Sequence, residues 1–256
     1  ICGQLNCVKK TQQGIIDLFT ASTQNSAGGA PYLNVLDYAY MFPSRASIYS
    51  FLYHKDSDKI LREPLEKQHG VKFLFSHAEL RGLQMGLGWD KKPLITNIDT
   101  LRGTKNRVTG TQLGRIAMQL LELNPVPIAW SETLDGLKQG LIDGAETWTG
   151  AVAYANMSPV VSQSVDLRLF CGTEATMINS KVFDGLSGEL QDAVMESAYF
   201  TQARIQCANE ASLVNTTGAT DPQLDGTIFK THGVRMALLS DAEREKAAKI
   251  CAPAHN

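Results

Sequence analysis

The chain has 256 residues, of which 43% are hydrophobic and 20% charged, and its formal net charge is −2 at pH 7. These values are typical of a folded globular protein of one domain or two lobes, and they exclude a mainly disordered chain. The charge is spread without a basic run, which excludes nucleic acid and anionic membrane surfaces as partners.

The first residues, ICGQLNCVKK, lack the charged-then-apolar layout of a signal peptide, so an exported chain is expected to be processed already at this point. No apolar run reaches the roughly 18 residues that span a bilayer. The five cysteines form no CxxC pair, and no histidine stands at zinc-like spacing, so no metal site is predicted. Because the cysteine total is odd, at least one sulfur stays unpaired, and a bridge between Cys2 and Cys7 receives little weight.

Two stretches of the chain repeat one pattern, QQGIIDLFTAST at 12–23 and KQGLIDGAETWT at 138–149. In both, a short helical pattern ends at a glycine suited to the left-handed conformation, and a brief strand then delivers hydroxyl, amide or aromatic side chains. Ligands of open α/β sheets bind at the carboxyl ends of strands, so two lobes with such edges are expected to face one another across a cleft. The alternative is coincidence between two ordinary helix-to-strand turns.

The middle of the chain alternates strands and helices. Strands are predicted at 71–80 and 105–108, then a helix from Thr111, a strand at 125–130, a short helix capped by Ser131, and the strand of GLIDGAETW at 140–148. This order predicts parallel strands joined by crossover helices.

The last third of the chain is predicted to be mainly helical. Ser187 and Glu189 open a helical pattern of about 25 residues, which is on the order of 40 Å long. A helix of that length is able to brace two lobes at once. The residues SDAE at 240–243 supply a capping box for a final helix.

Arg107 lies at the end of a predicted strand, followed by the turn TGT and an amphipathic helix. A guanidinium grips both oxygens of a carboxylate with two parallel bonds, and the free amides at a helix start favour the same charge. Arg81, which closes the preceding strand, is a second candidate. For either arginine the alternative is a solvated surface residue or an ion pair with an acidic side chain.

The sequence displays no catalytic pattern. It has five histidines but no GxSxG, no HExxH, no P-loop and no GxGxxG after a strand. Glu146 is a candidate general base or cation ligand, yet a base needs a partner that the sequence does not display. The residues therefore favour recognition over reaction, and no catalytic residue, cofactor or metal is predicted.

The segment from Asn97 to Trp148, which contains KNRVTGT and PVPIAWSETLDGLKQGLIDGAETW, resembles the core of the DctP-type substrate-binding proteins of tripartite ATP-independent periplasmic (TRAP) transporters. The family pattern is DLKGLKxRVPGS, a helix, and PVPMxxSEVYxALQxGxVDGxEN. Three further segments agree in order, GQLNCVKKTQQGIIDLFTAST, LDYAYMFPS and MINSKVFDGLSGELQDAVMESA, so the resemblance runs from Gly3 to about Lys249. In the family a strand, a helix and a strand precede the GQLG point, and the 256 residues do not contain this unit, since GQLN stands at 3–6.

The resemblance implies an α/β protein of two lobes with periplasmic binding protein architecture, joined by hinge strands and a long connecting helix. One lobe is expected at 1–78 and 172–214, without its N-terminal strand–helix–strand unit, and the other at 79–171 and 215–256. It also implies a periplasmic receptor, not an enzyme, that closes on a small organic acid and delivers it to the membrane permease subunits of a TRAP transporter.

By the same resemblance, Arg107 matches the arginine of RVPGS that clamps the ligand carboxylate, and Arg81 matches a second arginine of many members. Thr147 stands where others carry the asparagine of GxEN, and Trp148 beside it indicates a pocket with an aromatic wall. Some members hold a metal ion with the substrate, which Glu146 would assist. The remaining candidates follow the echoing strand or line the hinge: Ser22, Thr23, Gln24 and Asn25, with Thr173 or Glu174.

Two alternatives and the choice of ligand stay open on the sequence. One alternative is a soluble α/β enzyme acting on a small carboxylic acid, with Arg107 as anchor and Glu146 as base. The other is a sensor domain that binds the same ligand but docks on a receptor. The ligand is a monocarboxylate, a keto or hydroxy acid, a dicarboxylate that also engages Arg81, or a sulfonate.

Overall fold

A computed structural model describes residues 2–218 and 224–255. The chain divides into two compact units, of which unit 1 comprises 1–37, 42–78 and 172–209, and unit 2 comprises 38–41, 79–171 and 210–256. The predicted lobes differ from these units in two places. Residues 38–41 group with unit 2, and the change of unit inside the long helix follows Asn209 rather than residue 214.

The secondary structure alternates helices and strands. The first half of the chain contains α1 (Gln4–Gln12), β1 (Leu18–Ser22), α2 (Thr23–Ser26), α3 (Arg45–Tyr53), α4 (Glu63–His69), β2 (Val71–Gly86), β3 (Lys105–Val108), α5 (Gln112–Leu120) and β4 (Asn124–Pro127). The second half contains α6 (Trp130–Lys138), β5 (Gly144–Thr147), α7 (Thr149–Tyr154), β6 (Val161–Asn179), α8 (Ser180–Asp184), α9 (Gly188–Thr217), α10 (Ile228–His232), β7 (Arg235–Ala237) and α11 (Asp241–Cys251). The chain passes between the units inside β2, β6 and α9.

Strand pairing differs between the units. In unit 1, β1 pairs antiparallel with the second half of β6, with Ser22 opposite Glu174. In unit 2, the second half of β2 pairs antiparallel with β5, while β3 pairs parallel with both β5 and β4. The first half of β6 lies beside β2 and pairs parallel with β7. The parallel pairing predicted for the strand–helix run from β3 to β5 is confirmed.

The repeated glycine turn is present in both units. Gly14 follows α1 with φ +70°, and Gly140 follows α6 with φ +66°, which is the left-handed conformation that a residue with a side chain adopts only at a cost. In each turn the amide after the glycine bonds back to the carbonyl of the third-last helical residue, as in a Schellman motif. These bonds join Ile15 N to Lys10 O at 2.9 Å and Leu141 N to Gly136 O at 3.0 Å.

The hydrophobic core of unit 2 lies on both sides of its sheet. One cluster is formed by β2, β6, α5 and α11 and includes Leu83, Phe170, Met118 and Cys251. The second lies beneath β5, where Ala145 packs with side chains of α6, α7 and α10, among them Phe229. A smaller cluster in unit 1 joins β2, β6, α8 and α9. Strands β2 and β6 therefore contribute buried side chains to clusters in both units.

One helix start and one capping box differ from prediction. Helix α6 begins at Trp130 with Ala129 as its N-cap, so Ser131 lies in the first turn rather than before it. Serine is acceptable in both places, which is why sequence alone misplaces such an end by a residue or two. Ser240 does cap α11, accepting from Glu243 N, but the Glu243 carboxylate accepts the amide of Ile98 instead of completing the box.

Helix α9 spans 30 residues, somewhat longer than predicted. At 1.5 Å per residue its length is about 45 Å. Within unit 1 it holds β2 through Gln202, whose side-chain amide bonds to both the N–H and the carbonyl of Ser76.

Cys2 and Cys7 form a disulfide, which corrects the little weight that this bridge received from the sequence. Helix α1 starts between them, and the turn brings their Cα atoms to 5.4 Å, inside the range that a disulfide spans. The other cysteines are free thiols, with Cys171 and Cys251 buried and Cys207 exposed. None of the helices in the described ranges is both long and apolar enough to cross a membrane.

Candidate functional site

The antiparallel pairing of β2 and β5 sets Arg81 against Glu146. Leu83 lies opposite Glu146, so Arg81, two residues earlier on the same face, is its diagonal neighbour and a long side chain reaches across. The Arg81 Nε atom lies 2.6 Å from Oε1 of Glu146. Arg81 Nη2 also donates to Thr109 Oγ1 at 3.1 Å and to the carbonyl oxygen of Glu146 at 3.2 Å. Arg81 is therefore the arginine that carries the ion pair.

Arg107 reaches the same carbonyl oxygen from β3. Its Nη1 donates to Glu146 O at 3.1 Å, and its Nε donates to the carbonyl of Ile128 at 3.2 Å. The Arg107 side chain is directed by backbone acceptors and by the ring of Trp130, whose centroid is 5.5 Å from the guanidinium carbon. Two guanidinium groups thus converge on one carbonyl oxygen at the end of β5.

The convergence is electrostatically unfavourable for the cations. Burial, together with the neighbouring charge of Arg81, lowers the pKa of Arg107 to about 10, while Glu146 acts in the opposite sense. Burial raises the pKa of Glu146, and both arginines oppose that rise. Arg107 is only 4% exposed and Glu146 is fully buried. The two cations therefore disfavour one another in surroundings that water does not reach, and an anion beside Arg107 would reduce that repulsion.

The start of α5 offers fewer free amides to a ligand carboxylate than the sequence indicated. Thr111 caps the helix, and its Oγ1 accepts the amide of Gly114 at 3.2 Å. That amide is therefore already satisfied, and the groups that position Arg107 are carbonyls from β5 and from the segment after β4. Arginine fixed in this way presents its remaining donors in a defined direction.

Thr147 and Trp148 lie at the end of β5, where they were predicted. Thr147 is buried and stands opposite Gly82, on the other face of the strand from Glu146. Trp148 is half-buried and is the N-cap residue of α7. The aromatic ring that contacts Arg107 is instead Trp130, which sequence reasoning placed at a strand end without a role. No local pattern marks Trp130, because its contact depends on how α6 packs.

The candidates of unit 1 lie where β1 ends. Thr23 and Gln24 are buried in the short helix α2, and Thr23 Oγ1 donates to the carbonyl of Thr173 at 3.3 Å. Asn25 is half-buried and its amide donates to Gln4 Oε1 at 2.5 Å. The structure therefore brings together Thr23, at the start of α2, and Thr173, on β6.

A polar chain in unit 1 continues from Asn25 to Glu174, both of which were sequence candidates, through Gln4 and on to His77, which were not. Gln4 donates to Glu174 Oε1 at 3.4 Å, and His77 Nε2 lies 3.6 Å from Glu174 Oε2. Burial raises the pKa of Glu174 and lowers the pKa of His77, so burial favours the uncharged form of each. Within the described ranges there is no group of three or more His, Cys, Asp or Glu side chains arranged to hold a metal ion.

Gly82, on β2, lies where this strand approaches the backbone of β6 closely. A Cβ atom at this position would lie 2.6 Å from the carbonyl oxygen of Val165, a backbone atom that has no rotamer to escape to. Gly82→Ala is therefore expected to destabilise the protein by about 1–3 kcal/mol, as overpacking does. Urea unfolding measures the loss. Gly88→Ala is the matched control, since its Cβ meets no atom within 4 Å, and equal stability of the two variants would contradict the prediction.

The fold is that of a two-unit solute-binding protein. The chain belongs to the bacterial extracellular solute-binding proteins of family 7, the DctP family, whose model matches residues 1–255. It is 29% identical over 190 residues to the 2,3-diketo-L-gulonate-binding periplasmic protein YiaO of Escherichia coli K12, covering 72% of this chain and 55% of YiaO. The chain spans about half the length of the first curated relatives that it matches.

Solved structures share the fold at low identity. A TRAP periplasmic solute-binding protein from Sulfitobacter sp. NAS-14.1, with bound β-D-galacturonate, has a TM-score of 0.85 at 18% identity and covers 98% of this chain and 78% of its own. One from Citrobacter koseri, with D-glucuronate, has a TM-score of 0.83 at 20% identity, covering 98% and 79%. One from Pseudomonas aeruginosa PAO1, with L-malate, has a TM-score of 0.82 at 14% identity, covering 100% and 84%.

Proposed function

We propose that this protein is a receptor that binds a small organic acid anion at Arg81 and Arg107. One observation carries the proposal: two buried guanidinium groups donate to the same carbonyl oxygen, that of Glu146, at 3.2 and 3.1 Å. Like charges held this close repel, and burial deprives both of water. A carboxylate placed beside them removes both penalties, so an anion is the ligand that the cluster favours.

Arg107 is the arginine proposed to meet the ligand directly. Its Nε and Nη1 are engaged by carbonyls, while its Nη2 donates to no described residue. Arg81 is held by Glu146 and Thr109 and supports the site from the side. Charge-assisted bonds from arginine to a carboxylate are about twice as strong as neutral ones, and the nearly closed surroundings strengthen them further.

The cluster favours binding without turnover. Glu146 was the candidate general base, but its carboxylate lies 2.6 Å from Arg81 and is fully buried. A carboxylate paired in this way is a weak proton acceptor, and its position leaves a reacting group little access. This supports a receptor over the alternative of an enzyme acting on a carboxylic acid.

Relatives support the class of ligand. The three solved structures compared above hold β-D-galacturonate, D-glucuronate and L-malate, which are small organic acids with hydroxyl groups. We extend this class to the present chain as a proposal, together with periplasmic location and delivery of the ligand to TRAP permease subunits. Thr147, Trp148, Thr23, Gln24, Asn25 and Thr173 remain predicted ligand contacts.

A thermal-shift panel tests the proposal. The panel contains galacturonate, glucuronate, malate and other small acids, with galactose and glucose as neutral counterparts of the two uronates. A ligand present at about 100 times its Kd adds about 2.7 kcal/mol of stability, which raises the Tm of a chain of this size by roughly 5–10 °C. At least one acid is expected to give this shift while the neutral sugars do not. Absence of any shift across the acids, or conversion of a bound acid seen by NMR, would falsify the proposal.

A further inference from the structure

We infer that the Cys2–Cys7 disulfide of unit 1 is a redox-sensitive positioning element. It holds the side chain of Gln4, which in turn orients Asn25 and Glu174, and its reduction weakens ligand binding. The effect on affinity rests on the proposed function, because Asn25 and Glu174 are sequence candidates for ligand contact. The positioning itself depends only on contacts within unit 1.

The disulfide spans the start of helix α1. Gly3 is the N-cap, so Cys2 precedes the cap and Cys7 is the fourth residue of the helix. These are the two positions that a hydrophobic staple joins in other helices, and here the join is covalent. Gly3 has no side chain to accept the free amides of the first turn, and that turn contains no acidic residue. The disulfide therefore supplies a connection that side-chain capping does not.

Gln4 is the first residue of α1 and lies inside the loop that the disulfide closes. Its Oε1 accepts from Asn25 Nδ2 at 2.5 Å, and its Nε2 donates to Glu174 Oε1 at 3.4 Å. One amide thus joins the short helix α2 to strand β6. Because Gln4 is exposed, its direction depends on the backbone of the first turn more than on packing.

Glu174 depends on this amide for the stability of its charged form. Burial raises the pKa of Glu174, and the hydrogen bond from Gln4 lowers it. His77 Nε2 lies 3.6 Å from the other carboxylate oxygen, and burial lowers the pKa of that histidine. Loss of the Gln4 bond is therefore expected to raise the pKa of Glu174, a change that is measurable without any ligand.

The disulfide is open to reduction in the folded protein. Cys2 is half-buried and Cys7 is 4% exposed, so the thiolate of a dithiol is expected to attack Sγ of Cys2. Sγ of Cys7 then leaves and takes up a proton, and the second thiol resolves the mixed disulfide. Two electrons are transferred, giving two cysteine thiols and one cyclic, oxidised dithiol. All five cysteines lie in the described ranges and this is the one disulfide among them, so no other bond is reduced.

Isothermal titration of the unaltered protein, oxidised or reduced beforehand with dithiothreitol and kept under argon, tests the effect on binding. The probe is the acid of the thermal-shift panel with the largest shift, with galacturonate, glucuronate and malate tried first. Reduction is expected to weaken binding about three- to tenfold, because Asn25 and Glu174 must then be ordered when the ligand binds. Cys2→Ser, which opens the bond without a reductant, should give the same loss. Unchanged or tighter binding after reduction overturns the inference.

Gln4→Ala shows whether the disulfide acts through Gln4. The oxidised variant is expected to bind the acid as weakly as the reduced parent does, and its reduction should cause no further loss. Asn6→Ala changes an exposed residue of the same loop and should keep both the affinity and the redox response. A disulfide with a merely structural role would weaken Gln4→Ala on reduction as much as it weakens the parent, which contradicts the inference.

An NMR titration of the Glu174 carboxyl separates this inference from the proposed function. Reduction of the unaltered protein is expected to raise the pKa of Glu174, and Gln4→Ala is expected to raise it without reduction. An unmoved pKa overturns the positioning whether or not an acid binds. If the pKa moves but the unaltered protein binds no acid, the proposed function and the effect on affinity fail, while the positioning of Glu174 stands.

Discussion

Arg107→Ala is expected to weaken the binding of the organic acid by about 2–5 kcal/mol, roughly 30-fold to several thousand-fold. The substitution removes the cation that has no carboxylate partner in unit 2 among the described residues, so the ligand anion would be left without its counter-charge. It also removes the repulsion on Arg81, so the folded protein is expected to lose little stability. Isothermal titration with the acid that gives the largest thermal shift measures the change.

Two further variants show whether the loss of affinity depends on the guanidinium group and on its position. Arg107→Lys keeps the charge but replaces the planar fork with a single ammonium, so intermediate binding is expected. Arg102→Ala removes an arginine of the same unit that is half exposed and pairs with Asp99 and Glu122, and it should leave affinity unchanged. Full-strength binding by Arg107→Ala, or an equal loss in Arg102→Ala, would remove Arg107 from the site.

Phe229→Ala is expected to cost about 3–5 kcal/mol of folding stability. Phe229 is fully buried and is the one buried residue of the five-residue helix α10. So short a helix has almost no stability of its own, and this ring fastens it to the cluster beneath β5. Removing the ring leaves a cavity under Ala145, the residue before Glu146. Urea unfolding reports the loss as a lower midpoint at similar slope.

Two further substitutions distinguish the effect of the cavity from a general effect of altering helix α10. Phe229→Leu leaves a smaller void and is expected to lose less. Lys230→Ala changes the next, exposed residue of the same helix and should be near neutral. A loss of less than about 1 kcal/mol in Phe229→Ala would mean that the surrounding side chains collapse into the space, contrary to this account.

Local patterns allowed much of the fold to be predicted from the sequence. The two glycine turns, the parallel strands from β3 to β5 and the long helix depend on residues close together in the chain, such as Gly14 after α1 and Gly140 after α6. The family resemblance pointed to Arg107 and Arg81 together. Matching the sequence to the family pattern was therefore enough to select both arginines as candidates. In the structure they donate to one carbonyl oxygen.

The partners of these arginines were not predictable in the same way. Glu146 stands 65 positions after Arg81, and their contact depends on the register of β2 against β5. Trp130 reaches Arg107 through the packing of α6, whose N-cap is Ala129 and not the predicted Ser131. The Cys2–Cys7 bridge was undervalued because an odd number of cysteines does not reveal which of them pair. Long-range register and packing decided each of these contacts.

The distribution of the thiols has a practical consequence for measurement. Cys2 and Cys7 are bonded to each other, Cys171 and Cys251 are buried, and Cys207 is exposed on α9. A maleimide dye added to the native, unreduced protein is therefore directed to Cys207 without any engineered residue. One fluorophore at one known position gives a spectroscopic handle through which titrations with unlabelled, optically silent acids become visible.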